Sequence, residues 1–165
     1  MKVKMTTSLG DIELQLDEAK APVTVENFKQ YATAGHYDGT IFHRVMGNFM
    51  IQGGGFNPDM TQKKTNPAIA NEADNGLPNV RGSIAMARLP DPHSATSQFF
   101  INVVDNDFLN FSEATNRGFG YCVFGKVSQG MDTVDAIKEV KTGIVSGHEN
   151  VPLEPVVIEK VEILE

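Results

Sequence analysis

One cysteine, Cys122, stands alone in 165 residues, so no internal disulfide can close and nothing covalent staples the fold. It lies in the apolar run Tyr121-Cys122-Val123-Phe124, where a buried, inert thiol is expected, in keeping with a reducing compartment. Basic residues are also scarce: 14 Lys and Arg face 21 Asp and Glu, a net charge of -7. That balance builds no cationic field for phosphate backbones and excludes nucleic acid as an expected partner. The chain has no long apolar stretch, and its first residues, Met1-Lys2-Val3-Lys4-Met5-Thr6, enter strand-like alternation without the apolar region of a signal peptide, so neither export nor a membrane is expected.

The familiar catalytic clusters are missing too. His36, His43, His93 and His148 are far apart, with no His-x-x-x-His pair and no Cys-His cluster, and no metal site is expected. Asp105-Asn106-Asp107 opens like a calcium loop but lacks the glycine at its sixth position. No serine occupies a Gly-x-Ser-x-Gly elbow. Gly53-Gly54-Gly55 and Gly118-Phe119-Gly120 do not sit between a strand and a helix with a following Gly-Lys-Ser/Thr, so tight turns explain them better than phosphate cradling.

What is present is β structure. Val3 and Met5, then Ile12, Leu14 and Leu16, alternate with polar residues around Ser8-Leu9-Gly10-Asp11, the pattern of an antiparallel hairpin with one wet face. Short β-forming runs follow at 41–46, 49–52, 82–88, 98–104 and 121–127, and a last strand is expected near 156–164. One helix should start at Ala21-Pro22, with Val25, Phe28 and Ala32 at helical spacing and Gly35 capping its end. A second should begin at Asp132, where Asp132 and Asp135 have capping-box spacing and Met131, Val134 and Ile137 form a stripe. Many strands with two distant helices favour one antiparallel barrel or sandwich of mainly β class over a parallel sheet. The long stretches 53–80 and 105–120 should be ordered functional loops, pinned by Phe56, Met60, Phe108 and Phe111.

Period-two alternation predicts which strand residues face outward. In Gln98-Phe99-Phe100-Ile101-Asn102-Val103, the phenyl ring of Phe100 falls beside Gln98 and Asn102 on the wet face. Met50 shares a face with Gln52, and Arg44 with Phe42, while His43 points away as a structural histidine. Three segments thus mix apolar and hydrogen-bonding groups, either as ordinary exposed side chains or as a binding surface.

Those segments, Phe42-His43-Arg44-Val45, Phe49-Met50-Ile51-Gln52-Gly53-Gly54, Ala85-Met86-Ala87, Ser97-Gln98-Phe99-Phe100-Ile101 and Val123-Phe124-Gly125-Lys126-Val127, stand in the order of the cyclophilin signature. The chain resembles that family over essentially its whole length, and the small bacterial cytoplasmic cyclophilins most. The resemblance implies one domain over 1–165, a closed eight-stranded antiparallel β-barrel capped by two helices, with a substrate groove on its outside. It implies peptidyl-prolyl cis/trans isomerase activity without metal or cofactor, on proline-containing peptides and folding proteins; a monomer is the default expectation, and the lack of an export signal makes the cytoplasm the expected location. A non-catalytic proline-peptide binder or folding chaperone is the alternative.

Matched motif by motif, the resemblance assigns catalysis to Arg44 and Gln52. It assigns substrate binding to Phe49, Met50, Ala87, Arg88 (through its backbone), Gln98, Phe100, Phe108, Leu109 and Tyr121, with Phe49, Met50, Phe100 and Leu109 forming the proline pocket. Three positions depart from the best-known members: Phe108 stands where many have tryptophan, Tyr121 where many have histidine, and Arg88 where many have asparagine. Loss of an indole N–H at Phe108 should leave catalysis intact and weaken cyclosporin binding.

Overall fold

The computed structural model describes Met1–Leu164. The strands are β1 (Lys2–Thr7), β2 (Gly10–Leu16), β3 (Thr40–Met46), β4 (Met50–Gly53), β5 (Ser83–Met86), β6 (Phe99–Asn102), β7 (Val123–Gln129), β8 (Thr142–Val145), β9 (His148–Pro152) and β10 (Val157–Ile163). The helices are α1 (Pro22–Thr33) and α2 (Met131–Lys138). Eight strands close an antiparallel barrel in the order β1-β10-β3-β4-β6-β5-β7-β2, and β8 and β9 form a separate two-stranded sheet. No helix among the described residues is long and apolar enough to cross a membrane.

Alternation builds the interior as expected. Val3, Met5, Ile12, Leu14, Ile51, Ile84, Phe99, Ile101 and Phe124 point inward and fill the barrel with side chains. The helices extend the same core: α1 brings Phe28 against Tyr37, Phe99 and Phe124, with ring centroids 5.0 to 5.8 Å apart, and α2 adds Val134 and Ile137. Pro22 opens α1 and Gly35, at φ +74°, closes it by donating to the Ala32 carbonyl.

Three expectations need correction, and one element is additional to them. The N-cap of α2 is Gly130 at φ +97°, with no side-chain cap; Asp132 is already helical and Asp135 is drawn outward to Arg81. The hairpin β8–β9 had no counterpart in the sequence reading, because its Thr-Gly-Ile-Val and His-Glu-Asn-Val-Pro arms carry few alternating apolar residues. A register shift in β3, between Phe42 and Arg44, breaks the period of two: Phe42 and Val45 both enter the core, so Arg44 does not share a face with Phe42. Finally, the outer face of β6 is not wet, since Phe100 is packed into a second apolar cluster and Asn102 is fully buried.

The long loops are ordered, as expected. Short 3-10 turns at Ala73–Asn75 and Asp107–Leu109 and isolated bridges Phe56–Gln62 and Ile69–Ala95 hold them to the barrel. Phe56 and Met60 are buried anchors, whereas Phe108 pins nothing inward and is 75% exposed.

Candidate functional site

The site starts from strand register. Antiparallel pairing places Arg44 opposite Gln52, Gln52 opposite Phe100, and Phe100 opposite Ala85, so one row crosses β3, β4, β6 and β5 on the outside of the barrel. Neighbouring strands lie roughly 5 Å apart. A cation, a carboxamide and an aromatic ring therefore follow one another at steps of the order of one residue of a bound peptide. Ala85, the small residue ending the row, is fully buried beneath the floor.

A second apolar cluster sits on that outer face, separate from the barrel core. Met50, Phe100, Leu109, Ala85 and Val123 are its buried members, with Phe49, Ala87 and Tyr121 packed on them. The cluster leaves a cavity of about 120 Å³ lined by Arg44, Phe49, Met50, Gln52, Ala87, Arg88, Phe100, Leu109 and Tyr121. Nine of the eleven residues singled out in the sequence thus surround one hollow. The other two touch it indirectly. Gln98 accepts a hydrogen bond from Gln52 Nε2 at 3.0 Å and fixes that amide, and Phe108 stacks on Phe49 at 5.7 Å as an outer flap.

Backbone constraints hold the polar floor in place. A Cβ on Gly55 would stand 2.5 Å from Gln98 Cγ, so only glycine lets the chain pass this close to the Gln98–Gln52 pair. The Ala87 N–H donates to the Gln98 carbonyl at 3.0 Å, which carries the chain beyond β5 along the groove. Arg88 then turns back: its Nε donates to the Gly120 carbonyl at 3.0 Å, its Nη1 to the Leu89 and Pro90 carbonyls, and its guanidinium lies 4.5 Å from the Tyr121 ring centre. The side chain of Arg88, which the sequence reading did not use, braces one wall of the site.

Sequence reasoning also missed a buried amide network beneath the opposite wall. Asn102 Nδ2 donates to Asn79 Oδ1 and Ser83 Oγ, and Asn102 Oδ1 accepts from Asn106 Nδ2 at 2.8 Å. Asn106 Nδ2 also reaches the Phe49 carbonyl at 2.9 Å, and Asn79 Nδ2 reaches the Leu109 carbonyl at 3.2 Å. The network ties two pocket residues to the barrel. Its one signal in the sequence was an asparagine alternating with Ile101 and Val103 on a strand; the other asparagines looked like turn formers.

His43 lies outside the hollow, packed against Phe56 with ring centroids 4.3 Å apart, and its buried Nδ1 has no hydrogen-bond partner among the described residues. Burial, aided by the charges of His148 and Arg44, lowers its pKa to about 4, so the ring is neutral near pH 7. Cys122 is buried too, and desolvation raises its thiol to about 11, beyond ready ionisation. A larger hollow of about 590 Å³, between β2, β7 and the segment 77–80, contains none of the eleven residues.

The arrangement matches known proteins. The family model described as cyclophilin type peptidyl-prolyl cis-trans isomerase/CLD matches residues 2–163. A peptidyl-prolyl cis-trans isomerase of Streptomyces antibioticus is 62% identical over 162 residues, covering 98% of each chain. Peptidyl-prolyl cis-trans isomerase B of Escherichia coli is 58% identical over 163 residues, covering 99% of each. Among solved structures, a cyclophilin type peptidyl-prolyl cis-trans isomerase of Cryptosporidium parvum, crystallised in the presence of the dipeptide Ala-Pro, superposes with a TM-score of 0.84 at 27% identity, covering 100% of this chain and 99% of that one. On fold, site geometry and sequence together, the chain belongs to the cyclophilin-type peptidyl-prolyl cis-trans isomerases.

Proposed function

We propose that the outer groove is where this isomerase acts, with Arg44 as the catalytic donor, Gln52 as its partner, and Phe49, Met50, Phe100 and Leu109 gripping the proline ring. The carrying observation is the register row Arg44–Gln52–Phe100, which sets a permanent cation beside an apolar hollow of about 120 Å³. That volume suits a pyrrolidine ring and little more. Ala-Pro, the dipeptide named for the Cryptosporidium structure, has this chemistry.

The reaction needs only a distorted amide to be stabilised. Conjugation across C–N sets a barrier of roughly 18–20 kcal/mol, and X-Pro bonds populate both isomers. Uncatalysed exchange takes about 10–100 s, so a rate on the order of 100 per second requires about 4–6 kcal/mol of transition-state stabilisation. As the bond twists, the proline nitrogen recovers a lone pair that is delocalised in the planar amide. The Arg44 guanidinium donates to that lone pair, an interaction made mainly in the transition state. Gln52, steadied by Gln98, and the backbone at Ala87 and Arg88 hold the chain before the proline. The ring stays fixed in its pocket while the other side turns. No bond is cleaved, and the reaction as drawn uses no nucleophile, metal or cofactor.

In this reading residues 1–165 act as one domain, a monomer working in the cytoplasm on proline-containing peptides and folding proteins. Match of the family model to nearly the whole chain and the single buried thiol support it. Cyclosporin should bind weakly, because the exposed Phe108 offers a ring face but no N–H.

An NMR titration of the labelled protein with Ala-Pro and, in parallel, with cyclosporin tests the groove. Ala-Pro shifts should centre on Arg44, Gln52, Phe100 and Ala87, and cyclosporin should bind above the nanomolar range. Ala-Pro shifts centred on the 590 Å³ hollow would refute the assignment, and nanomolar cyclosporin would refute the role given to Phe108.

A further inference from the structure

The charge inside the groove is opposite to that of the molecule. The chain carries a net charge of -7, yet the cavity lining includes two guanidinium groups and no carboxylate. Both cations are uncompensated: among the described residues the salt bridges join Met1 to Glu18, Lys4 to Asp11, Asp135 to Arg81 and Lys138, and Lys160 to Glu162, and none includes Arg44 or Arg88. The acid Asp91, three residues on from Arg88, keeps its charge while accepting from the His93 N–H, but it does not line the cavity.

Arg88 is also held still. Three neutral carbonyls, of Gly120, Leu89 and Pro90, and the Tyr121 ring fix the guanidinium without cancelling its charge. Its Nη2 has no partner among the described residues. A cation immobilised in this way loses little conformational freedom when a ligand arrives, unlike a surface arginine that must first be ordered.

We propose that Arg88, acting with Arg44, makes this isomerase prefer substrates with an acidic residue before the proline, a Glu-Pro or Asp-Pro bond, and disfavour Lys-Pro. The proposal rests on the groove reading above, in which the residue before proline lies along Gln52, Ala87 and Arg88. Two charges set the sign locally, and the net charge of the chain opposes them from a distance. At 0.1 M ionic strength the screening length is about 10 Å, so groove charges within contact range outweigh carboxylates dispersed over the surface.

The test is an NMR exchange measurement on capped peptides acetyl-Ala-Xaa-Pro-Phe-amide, with Xaa as Glu, Ala or Lys, at 0.1 M and 1 M salt. At 0.1 M, kcat/KM for Glu-Pro should exceed that for Lys-Pro about 3- to 10-fold, and at 1 M, where the screening length is about 3 Å, the ratio should approach one. Arg88→Gln should shrink the low-salt ratio, and Arg88→Lys should retain most of it. A wild-type ratio at or below one, or a ratio that salt leaves unchanged, overturns the proposal even if Arg88→Gln does not fold. So does an unchanged ratio in folded Arg88→Gln. The Ala-Pro peptide separates the two ideas: if Arg44→Ala leaves its acceleration intact, the groove reading has failed; if that acceleration depends on Arg44 and the ratio is flat, only the charge preference has failed.

Discussion

At the scale of single residues, one register shift decides what β3 can do. Strict alternation would place Arg44 with Phe42, whose ring is fully buried in the core. The shift between them lets Phe42 and Val45 both pack inward while Arg44 reaches the outer face opposite Gln52. His43 absorbs the irregularity beside Phe56, neutral and with no partner for Nδ1 among the described residues. An unfolded chain protonates such a ring below its ordinary value of 6.5, but the folded one does so only near 4. Stability is therefore full above pH 6.5 and declines as pH falls toward 4, by an upper bound of about 2–3 kcal/mol. Urea titrations at pH 7 and 4.5 should show this loss, and His43→Phe should reduce it; the same pH slope in both proteins would contradict the account. The identity of the candidate residues was legible in the sequence, while the bulge was not, because nothing in Phe-His-Arg-Val distinguishes a bulged strand from a regular one.

At the scale of elements, the outer wall depends on polar groups that periodicity cannot reveal. Asn102 sits on the face of β6 opposite the barrel core and bonds to Asn79, Ser83 and Asn106; Asn79 and Asn106 in turn hold Leu109 and Phe49 by their carbonyls. Replacing Asn102 by leucine takes one hydrogen bond from each of three buried partners; Ser83 Oγ and Asn106 Nδ2 keep bonds to the Val80 and Phe49 carbonyls, and Asn79 Oδ1 is stranded. Asn102→Leu should cost on the order of 2–4 kcal/mol. It should also lower kcat/KM on an Ala-Pro peptide several-fold through the loosened pocket. Urea denaturation and the exchange assay would check both effects, and a variant as stable as wild type would show that the network is dispensable. The two helices and the eight barrel strands were readable from hydrophobic spacing, although strand ends moved by up to two residues. The β8–β9 hairpin was not readable, since its turn at Ser146 and Gly147, both at positive φ, carries more of the specification than its half-exposed arms.

At the scale of the whole molecule, the closed barrel explains why the site is external. Its interior is filled by core side chains, so a substrate has only the outer surface, where Ala87, Arg88, Leu109 and Tyr121, all outside the barrel strands, supply much of the wall. Closure also removes the free edges through which barrel strands would pair with another chain. The largest exposed apolar side chains are scattered: Leu89 and Phe108 by the groove, Ile144 on the hairpin and Leu153 after it. A monomer is expected, and light scattering on the eluted protein should report the mass of one chain; a concentration-independent dimer would contradict it. Composition and strand count alone allowed a barrel or a sandwich, because neither records which strand closes on which; the ordered cyclophilin motifs separated the two.

The central claim is that Arg44 stabilises the twisted amide more than the planar one, and kinetics on Arg44→Ala tests it most directly. With cis/trans exchange of an Ala-Pro-Phe peptide followed by NMR, the folded variant should lose about 100-fold or more in kcat/KM, on the order of 3 kcal/mol, relative to wild type. A folded Arg44→Ala protein that exchanges the peptide at a near wild-type rate would contradict the account.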